Sequence, residues 1–143
     1  MGTVSNILKG KGKEIFSIAP DTTVYQALEL MVEKNVSSLL VVDNGKLSGI
    51  FTEKDYARKV VLKGKSSKDT RIGDIMTEEL ITVSPTSTID DCMRLMTGKS
   101  IRHLPVLSDG NLVGIISIGD VVKHVIEEQK LIIENMGNYI HGT

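Results

Sequence analysis

A duplicated α/β (α+β) fold, two β-α-β-β-α units packed about a pseudo-twofold axis, is predicted by three features of this sequence. Offset by 65 residues, Ile15 to Val61 lies over Leu80 to Ile126 without a gap, with 13 identities in 47 positions. The identities fall on residues with geometric roles: Pro20 with Pro85, Met31 with Met96, Gly45 with Gly110, Gly49 with Gly114, and Asp55 with Asp120. Such self-similarity marks an internal repeat. Third, 143 residues with 41% hydrophobic content can bury one ordinary core, or two small ones that share an interface.

Each copy opens on a short β-prone run, Ile15 to Ile18 and Leu80 to Val83, ended by Ala-Pro or Ser-Pro. The residue before a proline is pushed out of helical space, so a strand ending there is favoured. Thr22 or Thr23, and Ser87 or Thr88, can then cap a helix. Val24, Ala27, Leu28, Met31 and Val32 share one helical face, as do Ile89, Cys92, Met93 and Met96. Leu39 to Val42 and Leu47 to Phe51 flank Asn44-Gly45, and Leu104 to Leu107 and Leu112 to Ile116 flank Asp109-Gly110. Both dipeptides suit a tight hairpin turn with positive φ at its two central residues. A helix follows each hairpin, Glu53 to Leu62 and Ile118 onward. Neither unit can cover its own sheet, so the two are expected to pack together.

The repeat includes a lead-in, Val4 to Leu8 matching Ile72 to Met76 after a shift of 68, with three extra residues in the Lys-Gly-Lys-Gly-Lys loop. The expected organisation is therefore a first repeat at 4–62, a polar linker at 63–71, a second repeat at 72–126 and a helical extension at 127–143. In that extension Leu131, Ile132 and Met136 continue the apolar positions of the last helix, and Gly137 is a candidate stop. A helix that outruns its own core wants a partner, and a homodimer is the expected one.

Composition excludes several functions. Seventeen basic and 18 acidic residues give a net charge of −1, so no global field draws the chain to nucleic acid or an anionic membrane. The lysines Lys9, Lys11 and Lys13, and Lys63, Lys65 and Lys68, read as solvated loop charges; five aromatics and no Trp offer no stacking platform. With no apolar run of about 18 residues and no apolar secretory stretch near the N-terminus, a soluble, cytoplasmic protein is expected. Cys92 is the single cysteine and aligns with Ala27 on an apolar helix face, so it reads as an inert buried thiol. His103, His124 and His141 have no metal spacing, and no metal is expected. No nucleophile–base pair is evident, which argues against an enzyme.

Ile75-Met76-Thr77, Thr82-Val83-Ser84-Pro85, Arg102-His103-Leu104-Pro105-Val106 and Gly114-Ile115-Ile116-Ser117-Ile118-Gly119-Asp120 together resemble the CBS-domain family. The first copy resembles it through Ile18-Ala19-Pro20, Leu39-Leu40-Val41-Val42 and Gly49-Ile50-Phe51-Thr52-Glu53-Lys54-Asp55. The resemblance covers roughly residues 4 to 126, and the layout is similar to free-standing bacterial and plant-organelle proteins with a single CBS pair (Bateman module). It implies a paired regulatory module that senses cellular energy by binding an adenosine-containing ligand, AMP first, with ATP, ADP, NAD(H) or S-adenosylmethionine as alternatives. It also implies a regulated partner, and for some plant relatives a link to the thioredoxin system.

Thr52-x-x-Asp55 and Ser117-x-x-Asp120 stand at strand–helix junctions, where a hydroxyl and an acid cap a helix start. The same acid can accept both hydroxyls of a ribose, and the resemblance assigns it that role. Both roles can coexist. Arg102 and His103, at the entrance to the strand with Leu104 and Pro105, can meet a phosphate, and Thr82, Val83 and Ile118 resemble the family's adenine walls. In the first copy Ser37 and Ser38 replace the two cations, Ile18 and Glu53 take the wall positions, and Lys54 and Arg58 are the remaining candidate cations. The second copy is thus expected to hold the stronger site. The alternative reading is a constitutive interaction scaffold in which both aspartates only cap helices.

Overall fold

The computed structural model describes residues 2–11 and 14–140, with side chains through residue 137. Lys13 and His141 lie outside the described residues. The chain folds into two compact units whose boundaries differ from those of the sequence repeats. One is Glu14–Ile81; the other joins the described residues of Met1–Lys13 to those of Thr82–Thr143. Each repeat's core thus takes the other repeat's lead-in.

In the unit 14–81, β1 (Ser17–Ile18) runs parallel to β2 (Ser38–Asp43), which pairs antiparallel with β3 (Lys46–Thr52). The β2–β3 turn has Asn44 at φ 51° and Gly45 at φ 80°, the positive values that the Asn-Gly dipeptide predicts. Helix α2 (Val24–Lys34) starts on a capping box in which Thr23 Oγ1 accepts from Gln26 N and the Gln26 side chain accepts from Thr23 N. Val24, Ala27 and Met31 of this helix pack with Leu39, Val41, Phe51, Val60, Ile72 and Ile75. Val32, placed by periodicity on the same face, is 82% exposed, because it falls at the edge of the apolar stripe.

Helix α3 (Glu53–Asp55) passes directly into a π-helical turn, Tyr56–Val61, rather than forming one regular helix from 53 to 62. The i→i+5 bond Leu62 N to Ala57 O, 3.0 Å, closes it. The polar segment after it is tied down by Val24 N to Thr70 O and Tyr25 N to Ser67 O, at 2.9 and 3.0 Å. The short helix α4 (Ile72–Ile75) then buries Ile72 and Ile75 in this core, and Thr77 exchanges two backbone bonds with Ile50 at 2.9 and 3.0 Å.

In the other unit, α1 (Val4–Lys11) buries Val4 and Ile7 and is anchored by Val4 N to Ser87 O and Ser5 N to Pro85 O, both 2.9 Å. Helix α5 (Ile89–Lys99) is capped by Thr88 and buries Ile89, Cys92 and Met96. Strands β4 (His103–Ser108) and β5 (Asn111–Ser117) form a hairpin whose turn repeats the geometry of the first, with Asp109 at φ 51° and Gly110 at φ 80°. The strand expected at Leu80 to Val83 is reduced to one parallel bridge, Val83 with Val106. Val83 N to Pro105 O and Leu107 N to Val83 O are its ladder bonds; Pro105 has no N–H to extend the ladder, and Pro85 ends the run. Helix α6 (Ile118–Ile140) continues through Gly137, so that glycine is no stop: in a helix it lowers propensity without breaking a hydrogen bond.

Gly49 and Gly114 are required by close approach. A Cβ on Gly49 would lie 2.7 Å from Met76 Sδ and 2.9 Å from Thr77 O, and one on Gly114 would lie 2.7 Å from Leu8 Cδ2. The two glycines are equivalent in the repeat, and each makes room for the exchanged lead-in.

Candidate functional site

The second repeat's candidate residues gather where β5 runs into α6. The hairpin register sets His103 opposite Ser117, and Ile118 N donates to Arg102 O at 2.9 Å, so the entrance of β4 and the start of α6 are held together. Ser117 N donates to Asp120 Oδ2 at 2.8 Å, and Asp120 N donates to Ser117 Oγ at 3.2 Å. This reciprocal pair caps the helix.

A lysine whose sequence context predicts only a solvated loop charge completes the cluster. Lys11 Nζ, at the end of α1, donates to Asp120 Oδ2 at 2.7 Å and to Ile115 O at 2.8 Å. Among the described residues, Asp120 Oδ1 takes no hydrogen bond. Burial pushes the Asp120 carboxyl up, but hydrogen bonds from Lys11 and Ser117 and the Lys11 charge outweigh it and hold the group below its ordinary range. Burial pushes the His103 imidazole down, the Lys11 and Arg102 charges add to that, and Asp120 opposes it. The cluster is thus cationic around a single carboxylate. Leu104, Pro105 and Val83 are buried behind it, while Thr82, Arg102 and Ile118 are exposed. An open groove of about 640 Å³ runs along α6 past Arg102, Ile118, Val122, Lys123 and Ile126; it takes in Arg102 and Ile118 of the expected residues but not Asp120.

The first repeat builds the same junction and closes it. Thr52 N and Thr52 Oγ1 donate to Asp55 Oδ2 at 3.0 and 3.1 Å. Thr77 Oγ1 donates to Asp55 Oδ1 at 2.8 Å, and Lys59 Nζ lies 3.1 Å from the same oxygen. Lys59 also donates to Ile75 O at 3.1 Å. Both carboxylate oxygens are therefore taken, and Asp55 is only 6% exposed. Ser38 is buried opposite Thr52 in the sheet, and Ile18 is half-buried at the end of β1. Ser37, Lys54 and Arg58 are exposed and make none of these bonds to Asp55.

Lys59 was legible as a residue four positions after Asp55 on a helix. Thr77 and Lys11 were not, because both come from exchanged lead-ins far from the aspartate in sequence. Cys92 is fully buried, and its thiol is pushed up by burial and by Asp91. Among the described residues no His, Cys, Asp or Glu cluster could hold a metal, and no helix is long and apolar enough to cross a membrane.

Two α/β units of common origin, each with a hydroxyl-x-x-Asp junction at the start of a helix, define a duplicated regulatory module. The chain belongs to the CBS-domain family, whose model matches residues 6–62 and 72–127. It is 44% identical over 149 residues to the mitochondrial CBS domain-containing protein CBSX3 of Arabidopsis thaliana, covering 98% of this chain and 72% of that one. A solved CBS-domain protein from Burkholderia ambifaria is similar with a TM-score of 0.86 and 52% identity, covering 89% of this chain and 96% of that one. CBSX2, solved in complex with AMP, is similar with a TM-score of 0.73 and 29% identity, covering 90% of this chain and 99% of that one.

Proposed function

We propose that this chain is a non-catalytic sensor of adenine nucleotides, with AMP as the first ligand and ATP, ADP or NAD(H) as alternatives, and that Asp120 receives the ribose. The observation that carries the reading is the difference between the two aspartates. Among the described residues Asp120 keeps an oxygen open, with Lys11 on the other and His103 and Arg102 near, whereas Asp55 has both oxygens occupied and is buried. A ribose diol needs acceptors, and a phosphate needs cations; the second repeat has both together. The α6 groove has Glu127 among its cations and does not reach Asp120, so we place the ribose at the capping junction instead. The AMP complex of CBSX2 supports the ligand class.

On this reading the first repeat is the weaker site, its aspartate committed to the fold. The partly exposed apolar residues Ile118, Val122, Ile126, Leu131, Ile132 and Met136 of α6 support homodimerisation, which sedimentation of an Ile126→Glu variant tests by loss of the dimer. A ligand would then regulate a partner by favouring one arrangement of the module over another, which requires differential affinity for the two.

Isothermal titration with AMP, ADP, ATP and NADH is the test of ligand binding, with Asp120→Ala alongside. Binding of at least one nucleotide that Asp120→Ala abolishes is the expected result. No binding at millimolar concentration would remove the reading. A constitutive scaffold is the second reading, favoured by the complete capping bonds of Asp55; it predicts that Asp120→Ala lowers stability and alters no ligand affinity.

A further inference from the structure

We propose that Lys11 is a specificity-determining residue of the Asp120 site, a displaceable counter-ion through which the site prefers phosphorylated ligands to nucleosides. The proposal rests on the reading of Asp120 as a ribose acceptor. The Lys11 ammonium has three N–H donors, and two are committed: one to Asp120 Oδ2 at 2.7 Å and one to Ile115 O at 2.8 Å. The two bonds have different fates. A diol that takes both carboxylate oxygens must displace the ammonium from Oδ2, but the Ile115 carbonyl still tethers it beside the site.

The rest of Lys11 has little freedom to leave. Helix α1 is held by the buried Val4 and Ile7, by backbone bonds to Ser87 and Pro85, and by Leu8 against Gly114. The displaced ammonium therefore stays beside the site with its hydrogen bond to Oδ2 lost and its pairing with the still-ionised Asp120 loosened. Arg102 is cationic, and burial keeps His103 toward its neutral form. A nucleoside has nothing to offer this ammonium, so binding it loosens a part-buried ion pair without replacement. A nucleotide brings a phosphate with strong acceptor oxygens, and the hydrogen bond is exchanged rather than lost. In the first repeat Lys59 cannot act in this way, since Thr77 and Thr52 hold Asp55 independently of it.

The experiment titrates the full chain, as wild type, Lys11→Met, Lys11→Arg and Asp120→Ala, with AMP and with adenosine. Wild type is expected to prefer AMP. Lys11→Met should weaken AMP by about tenfold, the size of one charge-assisted hydrogen bond, and leave adenosine unchanged or tighter; Lys11→Arg should restore the preference. An unchanged AMP-to-adenosine ratio in Lys11→Met, or equal weakening of both, overturns the role of Lys11 while ribose binding stands, provided Asp120→Ala still abolishes binding. Failure of wild type to bind either ligand overturns both. Thermal unfolding of each variant shows whether it is folded; should Lys11→Met be unfolded, Lys11→Gln carries the same comparison.

Discussion

Thr77 Oγ1 donates to Asp55 Oδ1 at 2.8 Å, across 22 residues of sequence, and so fastens the exchanged lead-in to the strand–helix junction of the other repeat. With Lys59 on the same oxygen and Thr52 on the other, the junction is a closed polar network. Removing one member leaves a buried carboxylate short of a donor. Thr77→Val should lower stability by about 1–3 kcal/mol, read from urea denaturation, and Thr77→Ser should recover most of it. A valine variant as stable as wild type would show that water replaces Thr77 without loss.

The two glycines that admit the lead-ins should respond unequally to the same change. A Cβ at Gly49 meets the Thr77 backbone oxygen at 2.9 Å as well as Met76, and backbone gives way less easily than the tip of Leu8, which faces Gly114. Overpacking costs about 1–3 kcal/mol. Gly49→Ala is expected at the upper end of that range and Gly114→Ala at the lower, compared by denaturation midpoints. Equal losses would mean that α4 shifts as freely as the Leu8 side chain.

The local grammar of the fold could be read directly. Asn44-Gly45 and Asp109-Gly110 specify their turns because few residues tolerate positive φ, and Thr23 and Thr88 cap their helices because hydroxyls at helix starts meet free N–H groups. The exchange of lead-ins could not be read, since a collinear repeat is equally consistent with each segment packing on its own copy or on the other. Lys11 is hidden for the same reason: in a Lys-Gly-Lys-Gly-Lys run nothing in the sequence distinguishes the lysine that pairs with Asp120 from the other two. The Leu80 to Val83 segment forms one bridge rather than a strand because β-propensity says nothing about how many partners an edge will have, and Pro105 supplies no donor.

Cys92 offers a test of core integrity. It is fully buried on α5, and burial, reinforced by Asp91, pushes its thiol above the ordinary value. Thiolate is the reactive form, so a disulfide-exchange reagent such as DTNB should label the native protein slowly and the urea-unfolded protein fast. The native rate should track global stability, falling further when a ligand binds. Rapid native labelling would show that α5 opens locally.

Two groups at the candidate site set the acid response. Asp120 is depressed in the folded chain, so its contribution is present above the unfolded carboxylate value of about 3.8 and is lost as pH falls through its lower folded value. His103 is depressed mainly by burial, so the unfolded chain takes up its proton first; its contribution is full above about pH 6.5 and declines as pH falls below that toward the folded value. His103→Gln should therefore flatten the loss of stability just below pH 6.5 and leave the loss near pH 4 in place. Ligand binding should show the opposite slope. A phosphate beside His103 raises the imidazole from its depressed value, so the complex takes up a proton and AMP affinity rises as pH falls from 8 to 7, before the phosphate, with its second pKa about 6, titrates appreciably. Titration calorimetry in buffers of different ionisation enthalpy measures that proton. The uptake should vanish in His103→Gln; uptake that persists in the variant would place the titrating group elsewhere.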